Sequence, residues 1–175
     1  VAVPPGAVNP TSIVIDATLL PGLADGDTTQ VTADTLLSNI DMVYTAPIIT
    51  SSRKNIPATG DLTITGTDLD SVVVTDTFVT LAGGGIGPLV LTQAQIVAVP
   101  PGAVTNTSIV IDSTLLPALA DGDTTQVTAD GYISTVVPVY TTPIITSAIR
   151  DIPAAGDLTI TGSDMASVIA TDTSV

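Results

Sequence analysis

The sequence predicts an all-β protein made of tandem antiparallel β-sandwiches. It is rich in Val, Ile and Thr, whose branching at Cβ suits the pleated, half-buried surface of a sheet. Every acidic residue is Asp rather than Glu, and Asp favours turns and caps whereas Glu favours helices. The opening eight residues, VAVPPGAV, return at Val97, which indicates that one structural unit is duplicated.

The repeat has a period of 96 residues, because Val1 aligns with Val97 (97 − 1 = 96). Residues 1–79 pair with residues 97–175, and 56 of the 79 pairs are identical. This period is too long for one coil of a solenoid and matches the size of an immunoglobulin-like sandwich. The predicted fold is therefore a row of tandem immunoglobulin-like antiparallel β-sandwiches.

Seven segments of residues 47–142 carry strand signals, and turn residues separate them about every 8–12 residues. The clearest is DLTITG at 61–66, which alternates apolar and polar side chains as a half-buried strand does. GGGIG at 83–87 predicts a hairpin turn, and LLPALADGD at 115–123 predicts a short helical turn or a loop. The predicted strands are 47–51, 61–66, 71–81, 89–99, 107–112, 125–131 and 132–141.

The module boundaries are predicted at the two copies of one junction, VYTAPIITS at 43–51 and VYTTPIITS at 139–147. Residues 1–46 are then the C-terminal part of one module, 47–142 a complete module, and 143–175 the N-terminal part of the next. Half of a sandwich leaves its apolar face and strand edges open. Two completions follow: the polypeptide continues beyond both ends, which we favour, or the parts of neighbouring subunits complement each other.

The residues at these boundaries resemble the IPT/TIG family of immunoglobulin-like domains. PIITSSRKNIPATGDLTITGTDLDSV (47–72) and PIITSAIRDIPAAGDLTITGSDMASV (143–168) match the opening of that family, and TTQVTADGYISTVVPVYT (124–141) is similar to its final hairpin. One departure is the length, since 96 residues exceed the usual size. The resemblance implies an early-set immunoglobulin-like sandwich that acts as a spacer or adhesive module in bacterial or phage surface and virion proteins, without catalysis.

Composition excludes several classes of function. With 3 basic and 17 acidic residues the net charge is −14, which disfavours nucleic acid and anionic membrane surfaces as partners. The chain has no Cys and no His, so disulfides, zinc sites, thiol chemistry and imidazole bases are excluded. No apolar run approaches the roughly 18 residues of a membrane span. We expect no enzyme, no cofactor and no catalytic residue.

One motif could in principle hold a metal ion. ADGD places Asp25 beside Asp27 and, one period later, Asp121 beside Asp123, and carboxylate oxygens suit calcium. The motif lacks a third oxygen ligand at the usual spacing and a bidentate Glu, so we favour a turn in which Asp bonds to nearby backbone. The sequence leaves the calcium alternative open and predicts no metal site.

Two functions remain. The first is a structural module of an extracellular filament, stalk or fibre, whose partners are neighbouring copies of itself, head to tail. The second is an adhesin or a phage tail or capsid decoration domain that binds a receptor. The motif ADGDTTQVTAD is unchanged between copies, whereas 35–42 differs from 131–138 and 51–55 differs from 147–151. The differences flank the junction, so we favour the filament, located outside the cell or on its surface, with a virion as the alternative.

Overall fold

The computed structural model describes residues 8–20, 22–55, 60–72, 76–83, 87–116, 119–150 and 158–165. The chain divides into two compact units, Val1–Thr45 and Ala46–Val175. In the described residues of both units, strands predominate and the one α-helix is short. The predicted all-β class is therefore confirmed.

The described residues of the first unit, 8–20 and 22–45, contain three short antiparallel pairs of strands. These pairs are β1 with β2, β3 with β6, and β4 with β5, and a 3₁₀ turn lies at Ala17–Leu19. The strands are β1 Val8–Asn9, β2 Ser12–Ile13, β3 Thr28–Thr29, β4 Thr32–Ala33, β5 Leu36–Leu37 and β6 Asp41–Met42.

The second unit contains twelve strands among its described residues, one α-helix and a 3₁₀ turn at Ser113–Leu115. In chain order the elements are β7 Ile48–Lys54, β8 Leu62–Thr67, β9 Phe78–Ala82, β10 Leu89–Thr92, α1 Gln93–Ala98, β11 Ala103–Thr105, β12 Ser108–Ile111, β13 Thr124–Ala129, β14 Tyr132–Ile133, β15 Val137–Pro138, β16 Tyr140–Thr141, β17 Ile144–Arg150 and β18 Leu158–Ser163.

Ten of these strands form two five-stranded sheets. One sheet has the order β11-β12-β8-β7-β16, and the other has the order β10-β9-β13-β14 with β15 also paired to β13. Every pair is antiparallel except β16 with β7, where Tyr140 lies opposite Arg53 in parallel. The prediction of a purely antiparallel module is wrong at this pair, because the chain crosses between the sheets at the buried Val139 and continues along the edge of β7.

Both sheets contribute to one hydrophobic core. Alternate residues of β8 and β13 are buried, as a half-buried strand requires. Ser52 and Thr125 are fully buried, and their hydroxyls lie 2.8 Å apart in a hydrogen bond between the sheets. Among the described residues, the buried residues of this core lie between Ile49 and Val139: Ile49, Leu62, Ile64, Leu69, Val79, Leu81, Leu91, Ile96, Ile109, Ile111, Leu116, Leu119, Val127 and Val139.

The strand predicted at 89–99 is wrong in its second half. β10 ends at Thr92, and α1 occupies Gln93–Ala98. The Thr92 side chain accepts a hydrogen bond from the Gln95 N–H while the Gln95 side chain accepts one from the Thr92 N–H, which forms a capping box. Ile96 is the one buried residue of α1. The helix therefore contributes a single large side chain to the core, whereas a strand over the same residues would bury every second side chain.

Other predicted elements agree with the structure in part. The strand predicted at 71–81 is present only as β9, and residues 73–75 lie outside the described residues. β9 and β10 pair as a hairpin around the predicted turn at 83–87, of which residues 84–86 are not described. The last predicted strand, 132–141, is divided into β14, β15 and β16. Within the described residues, no helix is long and apolar enough to cross a membrane.

The last described element, the β17–β18 hairpin, repeats the geometry of the β7–β8 hairpin. Both have a register shift, between Ile49 and Ser51 in one and between Ile145 and Ser147 in the other. At the shift a glycine approaches the facing strand so closely that an added Cβ at Gly162 would lie 1.8 Å from the Ile144 carbonyl oxygen. Local sequence therefore sets the same bulge in both copies.

Candidate functional site

The Asp121–Asp123 motif forms a tight turn that fastens the end of the module. Asp123 Oδ2 accepts a hydrogen bond from the Ala120 N–H at 2.8 Å, and Asp121 Oδ1 accepts one from the Thr141 N–H at 2.9 Å. Between them Gly122 adopts φ +82°, which favours glycine. One carboxylate thus closes the turn itself, and the other holds β16 in place.

The other copy of the motif has the same hydrogen bonds. Asp27 Oδ2 accepts from the Ala24 N–H at 2.8 Å, and Asp25 Oδ1 accepts from the Thr45 N–H at 2.8 Å. No group of three or more carboxylate, imidazole or thiol side chains that could hold a metal ion occurs among the described residues. The geometry favours the turn interpretation of both Asp pairs.

The position of Asp123 accounts for the glycine that follows β9. An added Cβ at Gly83 would lie 1.6 Å from Asp123 Oδ1. Asp123 is buried, so the turn and the start of the predicted GGGIG loop pack against each other. This arrangement gives the GGGIG segment a packing role at its first residue.

Two further Asp carboxylates, Asp16 and Asp112, each cap a 3₁₀ turn. The hydrogen bond from the Thr114 hydroxyl, followed by that from the Thr114 N–H, lowers the pKa of the Asp112 carboxyl below its ordinary value of 3.8. The Thr18 hydroxyl and N–H lower the pKa of Asp16 in the same way. Asp16 is exposed and Asp112 is half-buried, and each carboxylate accepts hydrogen bonds from the Thr two residues later, so both act as local caps of their 3₁₀ turns.

Lys54 and Asn106 make structural contacts within residues 47–142. Lys54 Nζ donates a hydrogen bond to the Leu119 carbonyl at 2.9 Å, which links β7 to the segment before the Asp121 turn. Asn106 is exposed and donates a hydrogen bond from Nδ2 to Asp68 Oδ1 at 3.3 Å. These contacts join the N-terminal and C-terminal parts of the complete module.

Among the described residues of the partial repeats, 1–46 and 143–175, large apolar side chains are exposed where their counterparts in residues 47–142 are buried. We call Ile13, Leu23 and Val31 the acceptor face; all three side chains are exposed. Their counterparts 96 residues later, Ile109, Leu119 and Val127, are core residues. For Val31 the exposed fraction is 40%, against 0% for Val127.

The β17–β18 hairpin shows the complementary difference. Leu158 has an exposed fraction of 58%, and its counterpart Leu62 is fully buried; Ile145 has 63%, and its counterpart Ile49 has 6%. We call Ile145 and Leu158 the hairpin face. The sequence indicates that both incomplete copies leave apolar side chains open, and the structure identifies which ones.

The acceptor region nevertheless keeps the local bonding of the complete module. Gln30 Nε2 donates to the Ser38 carbonyl at 2.8 Å, as Gln126 Nε2 does to the Ser134 carbonyl at 2.9 Å. The Val31 N–H donates to Ser38 Oγ at 2.9 Å, and its counterpart N–H in Val127 does so to Ser134 Oγ at 3.0 Å.

The hairpin keeps its local bonding too. The hydroxyls of Ser147 and Thr161 lie 2.6 Å apart, and those of Ser51 and Thr65 lie 2.7 Å apart. Residues 30–38 and the β17–β18 hairpin therefore keep the local hydrogen bonds of their counterparts, although their apolar side chains are exposed.

No protein-family model matches the chain. No curated protein matches it either.

Proposed function

We propose that this chain is a non-catalytic structural repeat module of an extracellular filament, stalk or fibre built from tandem immunoglobulin-like sandwiches. The observation that carries the proposal is the contrast in burial between counterpart residues: residues 47–142 have a continuous core, whereas apolar counterparts of that core in residues 1–46 and 143–175 are exposed. Such a unit is suited to stacking with its neighbours.

The strand order supports the immunoglobulin-like assignment. In an immunoglobulin constant-type sandwich one sheet contains strands A, B, E and D, and the other contains C, F and G. The letters A to G can be assigned in chain order to β7, β8, β9, β11, β12, β13 and β14. Strands A, B, E and D are then neighbours in one sheet, and strands C, F and G are neighbours in the other, with β10 added beside strand C. Together with the resemblance of 47–72 and 143–168 to IPT/TIG domains, this order favours an early-set module of that kind.

The chemistry of the described residues supports a role without catalysis. The sequence has no His or Cys, and the two Asp pairs of the ADGD motif are engaged with backbone amides. A net charge of −14 keeps copies soluble while exposed on a cell or particle surface.

Labelling with antibodies raised against the chain tests this function on the cells or particles that produce it. Electron microscopy should show gold label repeated along unbranched threads outside the cell. Label confined to the cell interior would contradict the proposal.

A second candidate, an adhesin or a phage tail or capsid decoration domain, is favoured by one surface feature. The hairpins that differ most between copies carry exposed large apolar side chains in both: Leu36 and Leu37 in one, Tyr132 and Ile133 in the other. Exposed apolar side chains on a variable loop are suited to binding. Label only at filament tips or on capsids, together with loss of host-cell binding in a Tyr132→Ser, Ile133→Ser variant, would favour this candidate.

A further inference from the structure

We propose that the acceptor face of one chain binds the β17–β18 hairpin of a second copy, in the arrangement that the two parts of residues 47–142 adopt within one chain. The inference rests on the proposed function and names the partner of each incomplete module. Where a polypeptide continues through several modules, the same contact forms within it; the proposal is that separate copies of this chain also make it.

The complete module provides the template for the main contact. β12 pairs with β8 so that Ile109 lies opposite Ile64 and Ile111 lies opposite Leu62. The counterparts of these four residues are Ile13, Ile160, Ile15 and Leu158. β18 of the second copy therefore runs antiparallel beside residues 12–15, with Ile160 opposite Ile13.

The template predicts a second contact at the end of the acceptor segment. In the complete module Tyr140 and Thr141 run parallel to Arg53 and Lys54. Their counterparts place Tyr44 and Thr45 beside β17 of the second copy. Together the two contacts complete one sheet in the order β1, β2, β18, β17 and residues 44–45, which matches β11-β12-β8-β7-β16.

The association should be weaker than the bond between the two parts of residues 47–142. Residues 80–96, which include β10 and the start of α1, occur once in the sequence, so the second sheet of the joined module lacks their counterparts. The counterpart of Ser52 is Ala148, which removes the hydrogen bond between sheets seen at Thr125. We therefore expect association that depends on concentration.

The contact joins two different surfaces, so it is heterologous and the assembly keeps one free face at each end. Repeated contacts of this kind give open chains, or rings where the rotation between copies closes, rather than symmetric dimers. Each copy carries a net charge of −14, and salt screens the repulsion between copies. Association should therefore strengthen as salt is added.

Sedimentation velocity of the full chain over a range of concentrations tests the proposal. The unaltered chain should form a series of species that lengthens with concentration. Val31→Asp on the acceptor face and Leu158→Asp on the hairpin face should each weaken association at least about tenfold, because a buried unpaired carboxylate opposes the contact. Both positions are exposed in the single chain, so neither change removes a core contact there.

Leu37→Asp is the matched control. Leu37 has an exposed fraction of 68%, and its counterpart Ile133 is also exposed in the complete module at 59%, so this change should leave association as it is. Val31→Thr, which keeps the side-chain shape, should weaken association less than Val31→Asp and provides a second variant that preserves the strand.

Mixing the two face variants gives the sharpest result. Val31→Asp retains a working hairpin face and Leu158→Asp retains a working acceptor face, so an equimolar mixture should form a species of two chains and nothing longer. The proposal is overturned if the unaltered chain stays monomeric at every concentration and salt level, if Leu37→Asp weakens association as much as Val31→Asp, or if the mixture stays monomeric. Those results would not contradict the proposed filament, since modules joined in one polypeptide need no contact between chains. The filament proposal would be contradicted by a different result, namely the absence of gold label from threads outside the cell.

Discussion

Residues 47–142 and the incomplete copies beside them contain nearly the same sequence in two different situations. In the complete module Leu62 and Val127 are fully buried, whereas their counterparts Leu158 and Val31 are exposed. The hydrogen bonds of the Asp turns and the register shifts of the bulged hairpins are nevertheless the same in both copies. Local sequence therefore sets the turns and hairpins, and burial depends on segments that are distant in the chain.

Strand continuity differs between the copies for the same reason. β13 runs unbroken over Thr124–Ala129, because it pairs with β9 along most of its length. The counterpart of β13 is divided into two short strands: β3, which pairs with β6, and β4, which pairs with β5. Among the described residues, β3 and β4 have no neighbouring strand that corresponds to β9, so their pairing is limited to β6 and β5.

The largest expected effect comes from truncating the same leucine in the two situations. Leu62→Ala should lower the free energy of unfolding of the second unit by about 2–5 kcal/mol, because it leaves a cavity in the core. Leu158→Ala should change that free energy by about 0.5 kcal/mol or less at low protein concentration, because its side chain is exposed. Urea unfolding measures both, and equal losses would contradict the difference in burial.

A smaller effect is expected at the hydrogen bond between the sheets. Ser52→Ala should cost about 1–3 kcal/mol of unfolding free energy, since it leaves the buried Thr125 hydroxyl without its partner. Urea unfolding measures this loss as well, and an unchanged midpoint would show that the bond contributes nothing. The counterpart position already holds Ala148, whose partner in the joined module would be Thr29.

The reverse change sharpens the comparison. Ala148→Ser should restore the missing bond in the joined module and tighten association between chains about twofold to tenfold. If the Ala148→Ser chain sediments as the unaltered chain does, the template fails at this contact.

The amino-acid sequence alone predicts the β class, the period, the positions of β7, β8, β12 and β13, and the open faces of the incomplete copies. These features depend on alternation and on comparison of one copy with another, both of which are local or internal to the sequence. The Asp turns were also predictable, because Asp beside Gly favours turn conformations.

Two features were harder to predict for physical reasons. α1 follows β10 without a break and contains the β-prone Ile96 and Val97, and its start is signalled by the spacing of Thr92 and Gln95. The parallel pairing of β16 with β7 depends on where the chain crosses between sheets at Val139. A crossing of this kind depends on the position of both sheets and leaves no periodic mark in the sequence.

The smallest expected effect is the same in both copies and concerns pH. Thr114→Val and Thr18→Val should each raise the pKa of the neighbouring Asp carboxyl toward 3.8, because the hydroxyl that lowers it is removed. A lowered folded pKa contributes stability above the ordinary value and loses it as pH falls through the folded pKa. Carboxyl titration by NMR should show the same upward direction at Asp112 and Asp16; a shift at one copy alone would contradict the local origin of these caps.

Disulfide trapping tests most directly whether two chains join in the register of the complete module. Val110 lies opposite Thr63 there, and their counterparts are Val14 and Thr159. Opposite residues of an antiparallel pair have Cα atoms about 4.5–5.5 Å apart, within the range that a disulfide spans. The chain has no cysteine of its own, so each variant carries a single thiol.

Under mild oxidation, a mixture of Val14→Cys and Thr159→Cys chains should give the mixed disulfide as the main product, identified by mass spectrometry of the joined peptides. A mixture of Leu37→Cys and Thr159→Cys should give far less, because Leu37 lies outside the predicted contact. A strong yield of the Val14–Thr159 product is the predicted result, and equal yields from the two mixtures would contradict the account.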